Sequence, residues 1–168
     1  MRKLNVWLAA MFISGAAIAQ TTWTIDKSHS NITFTATHMV VAEVEGNFKD
    51  FDAKVTSSSE DFNGADVEFT AKTASIFTDS ENRDKHLKSD DFFNAEQFPE
   101  IKFAGKIVKE GAKYKLNGQF TMRDVTKDVV FDVNYRGSIN TGRGTKAGFK
   151  ITGTINRFDY GLKWNRAM

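Results

Sequence analysis

The chain has 168 residues, with 23 basic and 21 acidic side chains and no cysteine. Its length suits one domain with its own core, and the lack of cysteine excludes disulfides and thiolate zinc sites. A formal net charge of +2 provides no strongly basic face, so we expect no nucleic-acid partner. The 15 Phe residues are a high number, and they indicate either an aromatic core or a surface that holds an apolar ligand.

Residues 1–19 are predicted to be a secretory signal peptide. Arg2 and Lys3 precede an apolar run that ends in an A-x-A cleavage pattern at Ala19. The run is shorter than the ~20 residues that span a bilayer. Without the two leader cations, the domain 20–168 carries 21 basic and 21 acidic side chains. We therefore expect a periplasmic protein without a transmembrane segment after cleavage; an uncleaved N-terminal anchor is the alternative.

Alternating apolar and polar residues predict seven β-strands in the mature domain. They are expected at about 31–40, 45–55, 65–75, 101–108, 114–122, 128–135 and 147–155. Short turns join most of them, so the predicted fold class is all-β with an antiparallel meander. Glycines within the strand patterns (Gly46, Gly118, Gly148 and Gly153) favour strongly bent strands, and so a barrel over a sandwich.

The stretch "ENRDKHLKSDDFF", residues 81–93, breaks this alternation. Thr78 and Glu81 fit a capping box, which predicts a short helix over about 79–90. Arg83, His86, Leu87 and Asp90 would share one face of that helix, and the following Phe92 and Phe93 would return to the core. The stretch is either a solvated connector or a cap over one end of the barrel, with its charges facing a ligand's head group.

The three histidines show no metal-ligand spacing. His38 continues the inward series of the first predicted strand, where it is either a satisfied core residue or a ligand-binding group. His29 lies in a predicted turn before that strand. We find no nucleophile motif, metal cluster or glycine-rich phosphate loop, so no catalytic residue, metal or cofactor is predicted.

Several motifs together resemble the lipid/polyisoprenoid-binding YceI-like family. They are "WTIDKSHSNITFTATHM", "VEGNFKDF", "NRDKHLKSDDFFNAEQFPEIKF", "LNGQFTMRDVTKDV" and "INRFDYGL", in the family's order and over nearly all of the mature chain. Residues 83–87 match the family's R-D-x-H-L pattern. His38 matches the histidine after the family's first long strand, and Gly46 matches the glycine of its second strand. The resemblance implies a lipocalin-like antiparallel barrel whose elongated pore holds an isoprenoid or similar chain, with the polar head near one end.

Two departures from the family pattern are visible. Asp124 stands where many members have a glycine, and we expect a changed turn there without loss of function. The family also continues into a further barrel strand beyond the "GLKW" region, whereas this chain ends at Met168. We therefore expect the C-terminal strand to be missing, which implies either a fragment or a barrel with an open seam.

The expected function is non-enzymatic binding of a long apolar amphiphile, such as a polyisoprenoid or an isoprenoid quinone. The head group is expected at His38, Arg83, His86 and Asp90. The predicted tail wall is Ile32, Phe34, Phe69, Phe103, Leu116, Phe120, Phe131 and Phe149. The alternatives are an enzyme acting on an isoprenoid phosphate, with His38 or His86 and Asp84, or a structural or stress-related barrel with a filled core. An unpaired sheet edge would also permit a homodimer.

Overall fold

The computed structural model describes residues 20–38 and 42–164. The predicted leader, residues 1–19, lies outside this part of the chain. The side chain of His38 also lies outside what is described, although its backbone belongs to a strand.

Ten β-strands and one α-helix form the described part. The strands are β1 (Thr21–Thr24), β2 (Ile32–His38), β3 (Ala42–Phe48), β4 (Phe51–Ser57), β5 (Asp66–Lys72), β6 (Ile76–Phe77), β7 (Glu100–Glu110), β8 (Lys113–Met122), β9 (Val125–Asn140) and β10 (Thr145–Thr152). The helix, α1, spans Glu81–Lys88. Short 3-10 turns follow β1, β5 and β10 at Lys27–His29, Thr73–Ser75 and Arg157–Tyr160.

Seven strands form one antiparallel sheet in the order β1-β4-β5-β7-β8-β9-β10. From β4 onward, each strand of this sheet pairs with the next one along the chain, as expected for a meander. The sheet is curled into a half-barrel. The predicted all-β, lipocalin-like fold is therefore confirmed. Within the described residues β1 pairs with β4 alone and β10 with β9 alone, so these two strands form the edges of the half-barrel.

A second, three-stranded sheet has the order β2-β3-β6. The prediction of one strand over about 45–55 was wrong, because a turn at Lys49 and Asp50 divides this stretch between two sheets. On either side of that turn, β3 pairs with β2 and β4 pairs with β5. The short strands β1 and β6 were not predicted, since four and two residues are too few to show an alternation.

The concave side of the half-barrel carries two apolar clusters. The first, here called the cap-end cluster, has the buried residues Phe48, Phe51, Ala71, Ile76, Phe93, Ile101, Met122, Tyr160 and Leu162. The second, the loop-end cluster, has Phe62, Ala65, Val67, Phe103, Ile107, Leu116 and Val133. Phe69 and Phe120 pack against both clusters, so one continuous apolar surface runs along the strands.

Helix α1 is shorter than predicted and begins two residues later. Its N-cap is Ser80, whose hydroxyl accepts from the backbone N–H of Arg83, and not Thr78. Thr78 is instead a buried residue, 3% exposed, just before the helix. After the helix, the backbone N–H of Phe93 donates to the Leu87 carbonyl at 3.0 Å, which directs the Phe93 ring into the cap-end cluster. The predicted return of this aromatic pair to the core is confirmed for Phe93, whereas Phe92 is only half-buried.

Candidate functional site

All eight residues of the predicted tail wall belong to or pack against the two apolar clusters. Phe103 and Leu116 are buried. The other six are half-buried: Ile32, Phe34, Phe69, Phe120, Phe131 and Phe149. The apolar concave side is thus incompletely covered by the described chain, and the strand register brings these side chains to it as the alternation predicts.

Glycines opposite the rings let several of them lie flat against the sheet. The Phe34 ring covers Gly46, its cross-strand partner, and would clash with a Cβ there. The Phe103 ring lies over the paired Gly105 and Gly118 in the same way. Because these glycines have no Cβ, the rings lie close to the backbone. The rings therefore occupy less of the space above the sheet than the number of Phe residues suggests.

One aromatic residue at this site was missed by the sequence analysis. Phe62 lies in the β4–β5 loop and is 1% exposed. Its ring centroid is 5.1 Å from that of Trp23 on β1, 5.3 Å from Tyr135 on β9 and 4.9 Å from Phe149 on β10. The loop "SSSEDFNGAD" consists mostly of residue types that are common in turns. The signal that could have identified Phe62 was that it is the one aromatic residue among them.

The predicted head-group residue Arg83 lies at the start of α1, on the exposed side. Its Nε donates to the Thr78 hydroxyl at 2.7 Å, and its Nη2 donates to the Thr78 carbonyl. The Thr78 hydroxyl in turn donates to Oδ1 of Asp84 at 2.6 Å, and Asp84 is only 8% exposed. Thr78 therefore holds both the guanidinium and a buried carboxylate. The two contacts use two of the five N–H groups of the guanidinium.

His86 occupies a separate environment, close to the C-terminal segment. Its Nε2 is 2.9 Å from Oδ2 of Asp91, and its ring packs edge-on against Phe92 and Trp164. Arg157 donates to the Trp164 carbonyl at 2.9 Å and lies over the Phe92 ring. This aromatic group holds the end of the described chain against the loop after α1.

The three predicted head-group residues whose side chains the structure describes, Arg83, His86 and Asp90, are not brought together in one cluster. Arg83 contacts Thr78, His86 contacts Asp91, and Asp90 is exposed beyond the end of α1. A shallow cavity of about 210 Å³ lies beside Phe34 and Gly46, with Asp79 at its border. Because Thr78 touches the same glycine position, this cavity adjoins the residue that holds Arg83.

Ion pairs with shifted pKa values lie at the edge and the loop end of the half-barrel. Lys146 of β10 donates to Asp26 at 2.5 Å, and this bond holds the pKa of Asp26 well below its usual range. Lys109 donates to Asp61 at 2.8 Å and lowers the pKa of that carboxyl in the same way. Burial raises the pKa of the Tyr160 phenol in the cap-end cluster. In the described ranges, no three His, Asp or Glu side chains are grouped as metal ligands would be.

A curled antiparallel sheet with an apolar concave side and one short helix defines a lipocalin-like fold. The family model described as "YceI-like domain" matches residues 23–168, and the chain belongs to this family. The resemblance seen in the sequence is thereby confirmed. A UPF0312 protein of Staphylococcus aureus strain MSSA476 is 39% identical over 150 residues, which cover 88% of this chain and 86% of that protein.

Solved structures show the same fold. A crystal structure of the Campylobacter jejuni YceI protein has 34% identity and a TM-score of 0.66, with 83% of each chain covered. BcnA of Burkholderia cenocepacia has 20% identity, a TM-score of 0.71 and coverage of 84% of this chain and 86% of BcnA. A polyisoprenoid binding domain from Saccharophagus degradans has 11% identity and a TM-score of 0.61, with 83% and 80% covered. These last two likenesses show the fold alone.

Helix α1 is both too short and too polar to cross a bilayer, and the described residues contain no other helix that could do so.

Proposed function

We propose that this protein binds a long apolar amphiphile, an isoprenoid lipid or a similar chain, against the concave side of its half-barrel. The observation that carries the proposal is the row of half-buried apolar side chains on that side, which the described chain leaves incompletely covered. The Saccharophagus degradans domain of the same fold is a polyisoprenoid binding domain, which supports the choice of an isoprenoid as the first ligand to test.

The driving force would be the removal of apolar surface from water. Each buried methylene contributes about 0.8 kcal/mol, and an isoprenoid tail offers many of them. The Phe, Ile and Leu side chains of the wall present no hydrogen-bonding groups. They therefore favour an apolar tail and provide no specific contact to a polar group. Orientation would then come from a few polar groups at one end of the site.

In this proposal Arg83 meets an anionic head group at the cap end. Its guanidinium is exposed, and Thr78 fixes its direction while leaving three of its N–H groups for a ligand. A planar guanidinium can donate paired hydrogen bonds to a phosphate. His38, His86 and Asp90 stay predicted head-group residues, although His86 and Asp90 do not cluster with Arg83 in the described chain.

The proposal also includes export to the periplasm, after cleavage of residues 1–19, and a non-catalytic role. Support for export is the leader pattern in the sequence. Support for binding without catalysis is the contact pattern of the titratable residues at the cap end. The Thr78 hydroxyl donates to Asp84 and accepts from Arg83, and His86 is bonded to Asp91, so these groups already have partners within the described chain.

Two measurements test the binding proposal. The first is organic extraction of the purified protein followed by mass spectrometry, in which a co-purifying long-chain lipid is expected. The second is titration with farnesol and farnesyl phosphate, which share a tail and differ in the head. We expect Phe120→Ala to weaken binding of both lipids alike, because that ring meets the tail.

Arg83→Ala should weaken binding of the phosphate alone, by about 1–2 kcal/mol, because the guanidinium is exposed and partly screened. Lys85→Ala is the matched control, since it removes an exposed cation from the same helix; it should leave both affinities unchanged. An empty extract together with no binding of either lipid would overturn the proposed function. Equal losses for both lipids on Arg83→Ala would remove Arg83 from the head-group site, while the proposed binding of the tail would stand.

A further inference from the structure

We infer that Phe62 is a floor at the loop end of the half-barrel that sets how long an apolar tail the concave side accepts. The inference rests on the proposed function and adds to it a residue that determines ligand length.

The strand register places Phe62 at the end of the half-barrel opposite α1. Ala71 pairs with Ile101 in the cap-end cluster, whereas the other end of the same two strands pairs Asp66 with Lys106. The β4–β5 loop that carries Phe62 joins the strands at this second end. From Ile101 to Ile107 the strand rises about 20 Å, at ~3.3 Å per residue, so an extended tail anchored at the cap would run along the strands toward Phe62.

The Phe62 ring closes this end because it bridges the two edges of the sheet. Trp23 belongs to the edge strand β1, and Phe149 belongs to the opposite edge strand β10. Both rings pack on Phe62, with centroid distances of 5.1 and 4.9 Å, and Tyr135 adds a third contact at 5.3 Å. A tail that advances between the two edges therefore meets this packed group of aromatic rings.

The loop holds the ring there at a cost in backbone conformation. Phe62 has a φ of 61°, a left-handed value that is unfavourable for a bulky residue. Hydrogen bonds on both sides of it fix the loop to β7: Lys109 bonds to Asp61 at 2.8 Å, and its backbone N–H donates to Asn63 at 3.0 Å. The backbone N–H of Gly64 also donates to the Ile107 carbonyl at 2.8 Å. The surroundings thus impose a strained conformation that places the ring across the end of the site.

Removal of the ring should lengthen the site by a predictable step. A phenyl ring is similar in size to one isoprene unit, and a Phe→Ala change in a packed site leaves much of that volume empty. A tail one unit too long for the wild type should then fit. The gain in affinity for that tail should be tenfold or more, since burial of a single methylene is already worth roughly fourfold.

The experiment measures the affinity of the full chain for a series of neutral isoprenoid alcohols: geraniol, farnesol, geranylgeraniol and longer prenols. For the wild type, we expect affinity to rise with each unit up to a break and then stop rising. Phe62→Ala should move the break to a tail one unit longer. Phe62→Leu should move it in the same direction with a smaller gain, and it serves as the second variant if the alanine protein does not fold.

Phe158→Ala is the matched control, because it removes an exposed ring outside both buried clusters and should leave the break in place. Urea unfolding of each variant establishes that it is folded. If the wild type binds the alcohols but shows no break, or if neither folded Phe62 variant moves it, the floor is refuted while the proposed function stands. If the wild type binds no member of the series, the proposed function fails, and the floor fails with it.

Discussion

Replacement of Thr78 by valine should destabilise the protein more than the same replacement at another buried threonine. Thr78→Val keeps the shape of the side chain and removes a hydroxyl that donates to Asp84 at 2.6 Å and accepts from Nε of Arg83 at 2.7 Å. Asp84 is 8% exposed, so water cannot readily replace the lost donor. The comparison is Thr73, 1% exposed, whose hydroxyl donates to a neutral acceptor, the Phe98 carbonyl, at 2.7 Å.

The difference between the two acceptors sets the expected magnitudes. A hydrogen bond to a charged group contributes about 1.5–3 kcal/mol and one between neutral groups about 0.5–1.5 kcal/mol. Thr78→Val should therefore lower the free energy of unfolding by roughly 1–2 kcal/mol more than Thr73→Val. With a urea m value of about 2 kcal/mol/M, the unfolding midpoints of the two variants should differ by about 0.5–1 M.

Urea unfolding followed by circular dichroism provides the measurement. Thr78→Ser is the control, because it keeps the hydroxyl and loses only the methyl group that lies against Gly46. It should retain most of the stability that Thr78→Val loses. An equal or larger loss of stability in Thr73→Val would contradict the prediction that the bond from Thr78 to Asp84 contributes more than a bond between neutral groups.

Three further outcomes are expected. The bond from Lys109 keeps the pKa of Asp61 low, so the Asp61 carboxylate stabilises the fold at pH values above its unfolded pKa of about 3.9. This stabilisation is lost as the pH falls through the lower pKa of the folded state. Asp61→Asn should therefore flatten the acid side of a plot of urea midpoint against pH. Arg123 has a φ of 56° and donates to the Phe92 and Gly161 carbonyls at 3.1 and 3.0 Å. Arg123→Ala should cost about 2 kcal/mol or more in thermal unfolding, and Arg123→Gly less, since glycine relieves the left-handed strain. A Cβ at position 153 would overlap the Phe131 ring, so Gly153→Ala should cost about 1–3 kcal/mol by overpacking, and an unchanged melting midpoint would contradict that contact.

The sequence was sufficient for the parts of the fold that repeat regularly. Strands β7 to β9 have long alternating patterns, and their predicted inward residues, such as Phe103 and Phe120, lie on the concave side. The stretch from Glu45 to Val55 alternates on each side of the turn at Lys49 and Asp50, but the phase of the alternation shifts there. The inward residues are Gly46 and Phe48 before the turn and Phe51, Ala53 and Val55 after it. This three-residue step from Phe48 to Phe51 was the signal that separates two strands from one longer strand.

The site was harder to predict because its key contacts are not periodic. Thr78 fits an N-cap by pattern, yet its hydroxyl is used by Asp84 and Arg83, and Ser80 caps the helix. Phe62 is placed by the hydrogen bonds of its loop to β7, which join residues more than forty positions apart. The turn expected to change at Asp124 has its left-handed residue at Arg123, where the side chain's contacts with distant carbonyls hold it.

The three-stranded sheet should open locally more often than the seven-stranded sheet does. In the chain, β2 and β3 lie between β1 and β4, yet β1 and β4 pair directly with each other, so the larger sheet does not depend on them. Among the described residues, two pairs, Asn47 with Phe77 and Phe48 with Ile76, join this hairpin to β6. Local opening should therefore require less free energy here than in β7 and β8, which are paired on both sides. In deuterated water the amides of β2 should exchange first, while those of β7 and β8 should persist until the whole domain unfolds.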